Sequence, residues 1–209
     1  KFKNNYVRAL CYQLFENNGV MKRESVQEMI MKISKEDRSS LRKSGIKIGR
    51  YHIFLPKMLK PGAVDLRVKL WKLYFFEDRK YIIPKSGLNF LKNESIKNNK
   101  FLLICGFENF NKFYIRVDIL ERLFLKIIEN TKNGTFKIDS DMMNLIGCTK
   151  ENFFRVLELM NYKAKNIKDS KNEFFTYKPK FSKRNEMKTK NKKNNKDNPF
   201  DKLSELRFN

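Results

Sequence analysis

The chain has 209 residues, is 41% hydrophobic and 13% aromatic, and carries 46 lysines and arginines against 23 acidic residues, for a formal charge of +23. That apolar content is enough for one ordinary domain or two small ones without covalent staples. Three widely spaced cysteines (Cys11, Cys105, Cys148), no secretory apolar segment and no run of about 18 apolar residues argue against a disulfide framework and a membrane span, so a soluble, cytoplasmic protein with reduced thiols is expected.

The charge has two readings. Clustered cations gain affinity for nucleic acid by releasing condensed counterions. The same excess, built from 34 Lys but only 12 Arg and accompanied by 23 Asn, is also the usage that an AT-rich genome imposes on any protein. The first residue is Lys1 and helical periodicity begins almost at once, which fits a C-terminal piece of something longer.

Val7, Leu10, Cys11, Leu14 and Phe15 share one face of a helix over residues 5–17, stopped by Asn18-Gly19. Ser25 and Glu28 fit a capping box opening a second helix with Val26, Met29, Ile30 and Ile33 inward. Ser34 with Asp37 opens a third, short helix that Gly45 closes. The period then changes to two through Ile46, Ile48, Tyr51, Ile53 and Leu55, with Gly49 read as a bulge or a close-approach site. Pro56 and Pro61 bracket one turn, and Pro61 starts a helix carrying Val64, Leu66, Leu70, Trp71 and Leu73 to about Phe76.

Residues 77–100 are polar, with Pro84 and Gly87, and read as a linker between domains. FLLICGF at 101–107 and FYIRV at 113–117 read as a hairpin. Asp118 caps a helix to about Asn130, ended by Asn133-Gly134; Phe136 and Ile138 form a strand; Asp139 or Ser140 opens a short helix; Gly147 turns the chain; and Thr149 caps a helix with Phe153, Val156, Leu157 and Met160 inward. Residues 162–167 and 173–177 complete two strands of a wing. The expected class is therefore α+β, mainly helical with short hairpins: a helical segment at 1–76 with an extended joint, a linker at 77–100, a winged-helix-like domain at 101–178 and a basic disordered tail at 179–209, in which Phe200, Leu203 and Leu206 recover a small apolar face.

No phosphate-binding glycine loop, dinucleotide fingerprint, zinc-spaced cysteine pair or HExxH motif occurs, so no catalytic residue, metal site or cofactor is assigned to this chain. His52 and Cys148 read as packed residues rather than as a base and a ligand. The candidate nucleic-acid contacts are Lys150, Asn152 and Arg155 on the exposed face of the last helix and Lys163, Lys165, Lys168 and Lys171 on the wing, with phosphate contact favoured over base reading. The opposing reading is a protein-docking module with incidental charge.

Ser44 to Pro61, with Gly45, Gly49, Tyr51-His52-Ile53-Phe54-Leu55-Pro56 and Leu59-Lys60-Pro61, resembles the signature G-x-x-x-G-x-[YH]-x-[IVL]-F-x-P-x-[LM]-L-K-P. That signature belongs to the C-terminal region of alphaproteobacterial helicases related to the Suv-type mitochondrial RNA helicase. YVRALCYQL, RVDILERLFLKI, DMMNLIGCTKENFFRVLELMNYK and the terminal NPFDKLSEL are similar to further segments of that region in the same order. The resemblance implies an accessory part of a superfamily-two, DExH-type, ATP-dependent helicase. ATP and magnesium would then belong to upstream motor domains, RNA or DNA would be the polymer, and a nuclease would be a possible partner. Gly45, Gly49, Tyr51, Phe54, Pro56, Lys60, Pro61 and Trp71 are its structural signature here.

Overall fold

The computed structural model describes residues 2–75, 83–92, 99–165 and 174–176. Helix α1 (Asn5–Glu16) opens with the Asn4 side chain accepting the Tyr6 amide and ends at Asn18 and Gly19, both at positive φ. Strand β1 (Val20–Lys22) then leads through a 3-10 turn (Arg23–Val26) into the short α2 (Gln27–Met31). The capping box expected at Ser25 is not formed: its hydroxyl donates to the Lys22 carbonyl, and the chain spends that turn as 3-10 helix. Helix α3 (Lys35–Lys43) has the expected cap, the Asp37 amide donating to Ser34 Oγ at 3.1 Å, and leaves through Gly45 at φ +88.

Strands β2 (Lys47–Ile48) and β3 (His52–Phe54) form a tight antiparallel pair, and β1 joins the other edge of β3, so the sheet order is β1-β3-β2. Pro56 begins a 3-10 turn (Pro56–Leu59) and Pro61 begins α4 (Pro61–Tyr74), the two fixed-φ entries that the sequence predicts.

Two features depart from expectation in the next stretch. Part of the expected linker is strand β4 (Phe90–Lys92), paired to β6 (Phe113–Arg116). The apolar run expected to be a hairpin arm is instead helix α5 (Asn99–Ile104), and the hairpin is built from β5 (Phe107–Phe110) and β6. Phe101 and Leu102 are fully buried against Val68 and Trp71 of α4, so the run faces protein on most sides and carries no period to tell helix from strand. Gly106, at φ +83, makes the break between α5 and β5.

Helix α6 (Val117–Asn130) buries Leu120, Leu123, Phe124 and Ile127. Its N-cap is Arg116, not Asp118, whose carboxylate is held by Arg116 in a two-pronged pair at 2.7 and 2.6 Å. Strands β7 (Thr131–Lys132) and β8 (Thr135–Lys137) follow, with Ile138 just beyond the strand; then come α7 (Ser140–Ile146), α8 (Lys150–Leu159), β9 (Lys163–Lys165) and β10 (Phe174–Thr176). The last sheet has the order β7-β8-β10-β9. Gly147 at φ +76 and the Thr149 cap on Asn152 set the bend between α7 and α8. The fold is thus mixed helix and sheet.

The buried core of α1, α2, α3 and the first sheet is one cluster, and that of α4, α5, β5 and β6 is another. Val20 and Phe54 of the first sheet pack on Val117 of α6 in a third cluster that ties the two halves together. Residues 1–176 accordingly form one compact unit, with buried contacts bridging the expected linker; the tail at 179–209 lies outside the described residues.

Candidate nucleic-acid interface

Of the signature residues, Gly49, Tyr51, Phe54 and Trp71 pack on the second half of the fold, while Gly45, Pro56, Lys60 and Pro61 are exposed. The turn between β2 and β3 points three consecutive amides, those of Arg50, Tyr51 and His52, at the carboxylate of Glu121 on α6. The Arg50 amide donates to Oε2 at 2.6 Å, and those of Tyr51 and His52 donate to Oε1 at 2.8 and 2.9 Å. Successive backbone N–H groups form an anion-binding concavity, and here the chain's own carboxylate fills it. Gly49 is required by that approach, because a β-carbon there would lie 2.5 Å from both carboxylate oxygens. Its φ is not in the left-handed region, so the need is for space.

The turn is gripped from its other side by Arg23, whose amide donates to the Tyr51 carbonyl at 2.8 Å and whose Nη1 donates to the Gly49 carbonyl at 2.8 Å. The Tyr51 hydroxyl meets that of Tyr162 at 3.1 Å, and its ring sits edge-on to Phe124. Burial, reinforced by Tyr162, raises the Tyr51 phenol well above its ordinary range, so it stays protonated.

A second junction lies beside the first. Lys22 and His52 are cross-strand partners, and both reach Glu108 of β5, Lys22 Nζ at 2.6 Å and His52 Nε2 at 2.7 Å. Burial pushes the Glu108 carboxyl up, but hydrogen bonds and charge from His52 and Lys22 outweigh it and leave the group below the usual carboxylate range. His52 is thus packed and hydrogen-bonded, 1% exposed, with Nδ1 3.9 Å from Glu121 Oε1. Phe54 is buried between Val20 and Val117, Trp71 packs among Val68 and Phe101, and Lys60 is exposed beside Pro61.

The expected nucleic-acid contacts are arranged less tightly. Lys150 and Arg155 are exposed along α8, Asn152 is half-buried with its amide donating to Thr149 Oγ1, and Lys163 is exposed at the start of β9. Glu151 and Glu158 share the exposed surface of α8, so its charge is mixed. Lys168, Lys171 and the side chain of Lys165 lie outside the described residues.

Among the described residues the larger excess of positive charge lies elsewhere. Residues 2–75 carry 16 lysines and arginines against 6 acids, whereas residues 99–165 carry 11 against 8. Among the described residues, Lys22 is the one of those sixteen whose charged side-chain nitrogen lies within 4 Å of a carboxylate. These basic residues are spread over α1, α3, α4 and the turns, so no single helix face displays the excess.

No group of three or more potential metal-ligating residues occurs among the described residues. The thiols are held protonated by burial, Cys105 pushed up to about 12 and Cys148 to about 11. No helix of the described residues is long and apolar enough to cross a membrane. Neither a scan of protein-family models nor a search of curated proteins returned a match to the chain.

Proposed function

We propose that this chain is an accessory, nucleic-acid-contacting region of an ATP-dependent helicase acting on RNA or DNA, with ATP and magnesium handled by motor domains outside its sequence. The observation that carries the nucleic-acid part is the block of basic residues at 2–75, fifteen of sixteen without a carboxylate partner among the described residues. Apart from Arg67, which is buried, these cations reach the surface, as phosphate neutralisation requires. The order α6, β8, α7, turn, α8, β9, β10, with β8 and β9 flanking β10, supports reading the C-terminal half as a winged helix. The ordered resemblance through Gly45–Pro61, α6 and α7–α8 supports the helicase parentage. The Glu121 and Glu108 junctions fit that role by holding the signature turn as a rigid joint.

Fluorescence anisotropy of a labelled single-stranded RNA and of a duplex DNA titrated with the full chain tests this. Binding should be weak and should fall steeply with salt, and absence of binding to either at low salt would refute the reading.

A second reading, a docking module for the motor or another protein, is favoured by α4. Leu66, Leu70 and Leu73 stand 58%, 55% and 72% exposed along it, with Tyr74 and Phe75 exposed beside them. The two readings separate in a paired pull-down. A docking role predicts that Leu66→Ser, Leu70→Ser and Leu73→Ser together lose a partner that a chain with Lys150, Arg155, Lys163 and Lys165 all changed to Glu retains.

A further inference from the structure

We infer that the phosphate-contacting centre of this chain is the arginine cluster of Arg23, Arg38 and Arg50 around the β2–β3 turn, and that its ligand is a phosphodiester backbone. The inference rests on the nucleic-acid reading above and moves its contact from α8 and the wing to the first sheet.

Each guanidinium is oriented by the fold while keeping donors to spare. Arg23 uses Nη1 on the Gly49 carbonyl and Nε on Gln27 Oε1, leaving Nη2. Arg38 reaches from α3 with Nη2 to the Ile30 carbonyl at 2.6 Å, while its Nε is buried without a hydrogen-bond partner. Arg50 follows Gly49 directly and lies over the Phe124 ring at 5.6 Å, with its side chain in no hydrogen bond among the described residues.

Arg23 holds the carbonyl of the residue before Arg50, and Arg23 and Arg38 both hold α2, at Gln27 and Ile30, so the three border one region of the surface. After burial, the charges of Arg50 and then Arg38 are what lower the Arg23 guanidinium from its ordinary value, with Glu121 opposing them. Glu121 faces the cluster but has its oxygens committed to three backbone amides, and no ion pair joins any of the three arginines to an acid among the described residues. All three are half-buried, so part of each remains open to water. Cations placed in this way, two fixed by carbonyls and the third lying over an aromatic ring, favour an anion between them. Arginine forks match two phosphate oxygens at once, and a half-buried setting strengthens the contact. A phosphodiester supplies one such anion per nucleotide, and its bases have no demand on this site.

Arginine footprinting on the full chain tests the assignment. Phenylglyoxal modification is read residue by residue by mass spectrometry, alone and with a single-stranded RNA 20-mer, a duplex DNA or inorganic phosphate, with Arg8, Arg42 and Arg155 as internal references. The expected result is severalfold slower modification of Arg23, Arg38 and Arg50 with nucleic acid and little change at the references; protection by one polymer only identifies it as the source of the phosphodiester. Arg50→Gln should weaken anisotropy-measured binding about tenfold, and Arg50→Lys should restore part of the loss. If the polymer binds but Arg155 is protected and the three are not, or all arginines are protected equally, the cluster is not the centre although the nucleic-acid reading survives. If neither polymer binds and nothing is protected, both fail. Protection by inorganic phosphate as strong as by either polymer would make the cluster a free-anion site and overturn the phosphodiester assignment.

Discussion

The joint between the β2–β3 turn and α6 yields a sharp test, because two residues 72 positions apart occupy one space. Glu121→Ala leaves the Arg50, Tyr51 and His52 amides without their acceptor. The turn is half-buried, so water reaches it in part, and the cost per amide falls at the low end of the unsatisfied-donor range, about 1 kcal/mol each and about 3 kcal/mol in all. Gly49→Ala places a methyl group on the carboxylate, an overpacking cost of about 2 kcal/mol. For a unit of residues 1–176 these correspond to a Tm lower by roughly 6–12 °C and roughly 4–8 °C. The decisive quantity is the double variant. With the glutamate truncated the methyl group has room, so Gly49→Ala should cost nearly nothing in the Glu121→Ala background. Gly62, where an added β-carbon meets nothing within 4 Å, is the control: Gly62→Ala should be neutral or slightly stabilising. Unfolding in urea followed by the fluorescence of the only tryptophan, Trp71, reads all four variants. Equal costs for Gly49→Ala in the two backgrounds would refute the close-approach explanation.

Three further outcomes follow from the same structure. Glu108 and Asp118 both have carboxyls below their ordinary range, so the unfolded chain binds their protons more readily. Their contribution to stability is complete above about pH 4.3 and is lost as the pH falls through the depressed folded values; urea midpoints measured from pH 6 to pH 3 should drop, less so in Glu108→Gln, and a flat profile would contradict this. Cys105 should resist alkylation at pH 8 until the chain is denatured, since a thiol pushed up to about 12 by burial offers almost no thiolate, and rapid native labelling would show the site open. Arg67 is 3% exposed, lowered by burial to about 10, and has Nε and Nη2 without partners, while Nη1 donates to the Asn18 carbonyl. Arg67→Met should therefore cost less than about 1 kcal/mol or stabilise, and a loss above about 3 kcal/mol would mean that the guanidinium is better satisfied than the structure indicates.

What was legible in the sequence was local chemistry. Ser34 and Thr149 cap helices, Gly45 and Gly147 turn left-handed, Pro56 starts a 3-10 turn and Pro61 a helix, because each of these needs only neighbours within about four residues. The α7–turn–α8 order and the last two strands were legible for the same reason. Strands β1 and β4 were not, since three residues carry no period and become strands only through β3 and β6. Phe101–Ile104 failed in the opposite way, being apolar on every side. Gly49 was half legible: a glycine interrupting an alternating run signals close approach, but the group that approaches is Glu121. That acid, beside Leu120 and Arg122 on an amphipathic helix, looks like any solvent-facing residue. The arginine cluster was hidden because Arg23, Arg38 and Arg50 lie on three separate segments, the 3-10 turn after β1, α3 and the β2–β3 turn, which only the fold brings together.

Phosphate contact by this chain is tested most directly by the salt dependence of its binding to a labelled single-stranded RNA, compared for the natural sequence and Arg50→Gln. The account predicts a linear fall of log affinity with log salt, with a slope near −0.7 per phosphate neutralised and reduced in magnitude by about that amount on losing Arg50. An affinity independent of salt, or a slope that Arg50→Gln leaves unchanged while Lys150, Arg155 and Lys163 changes reduce it, would contradict the account.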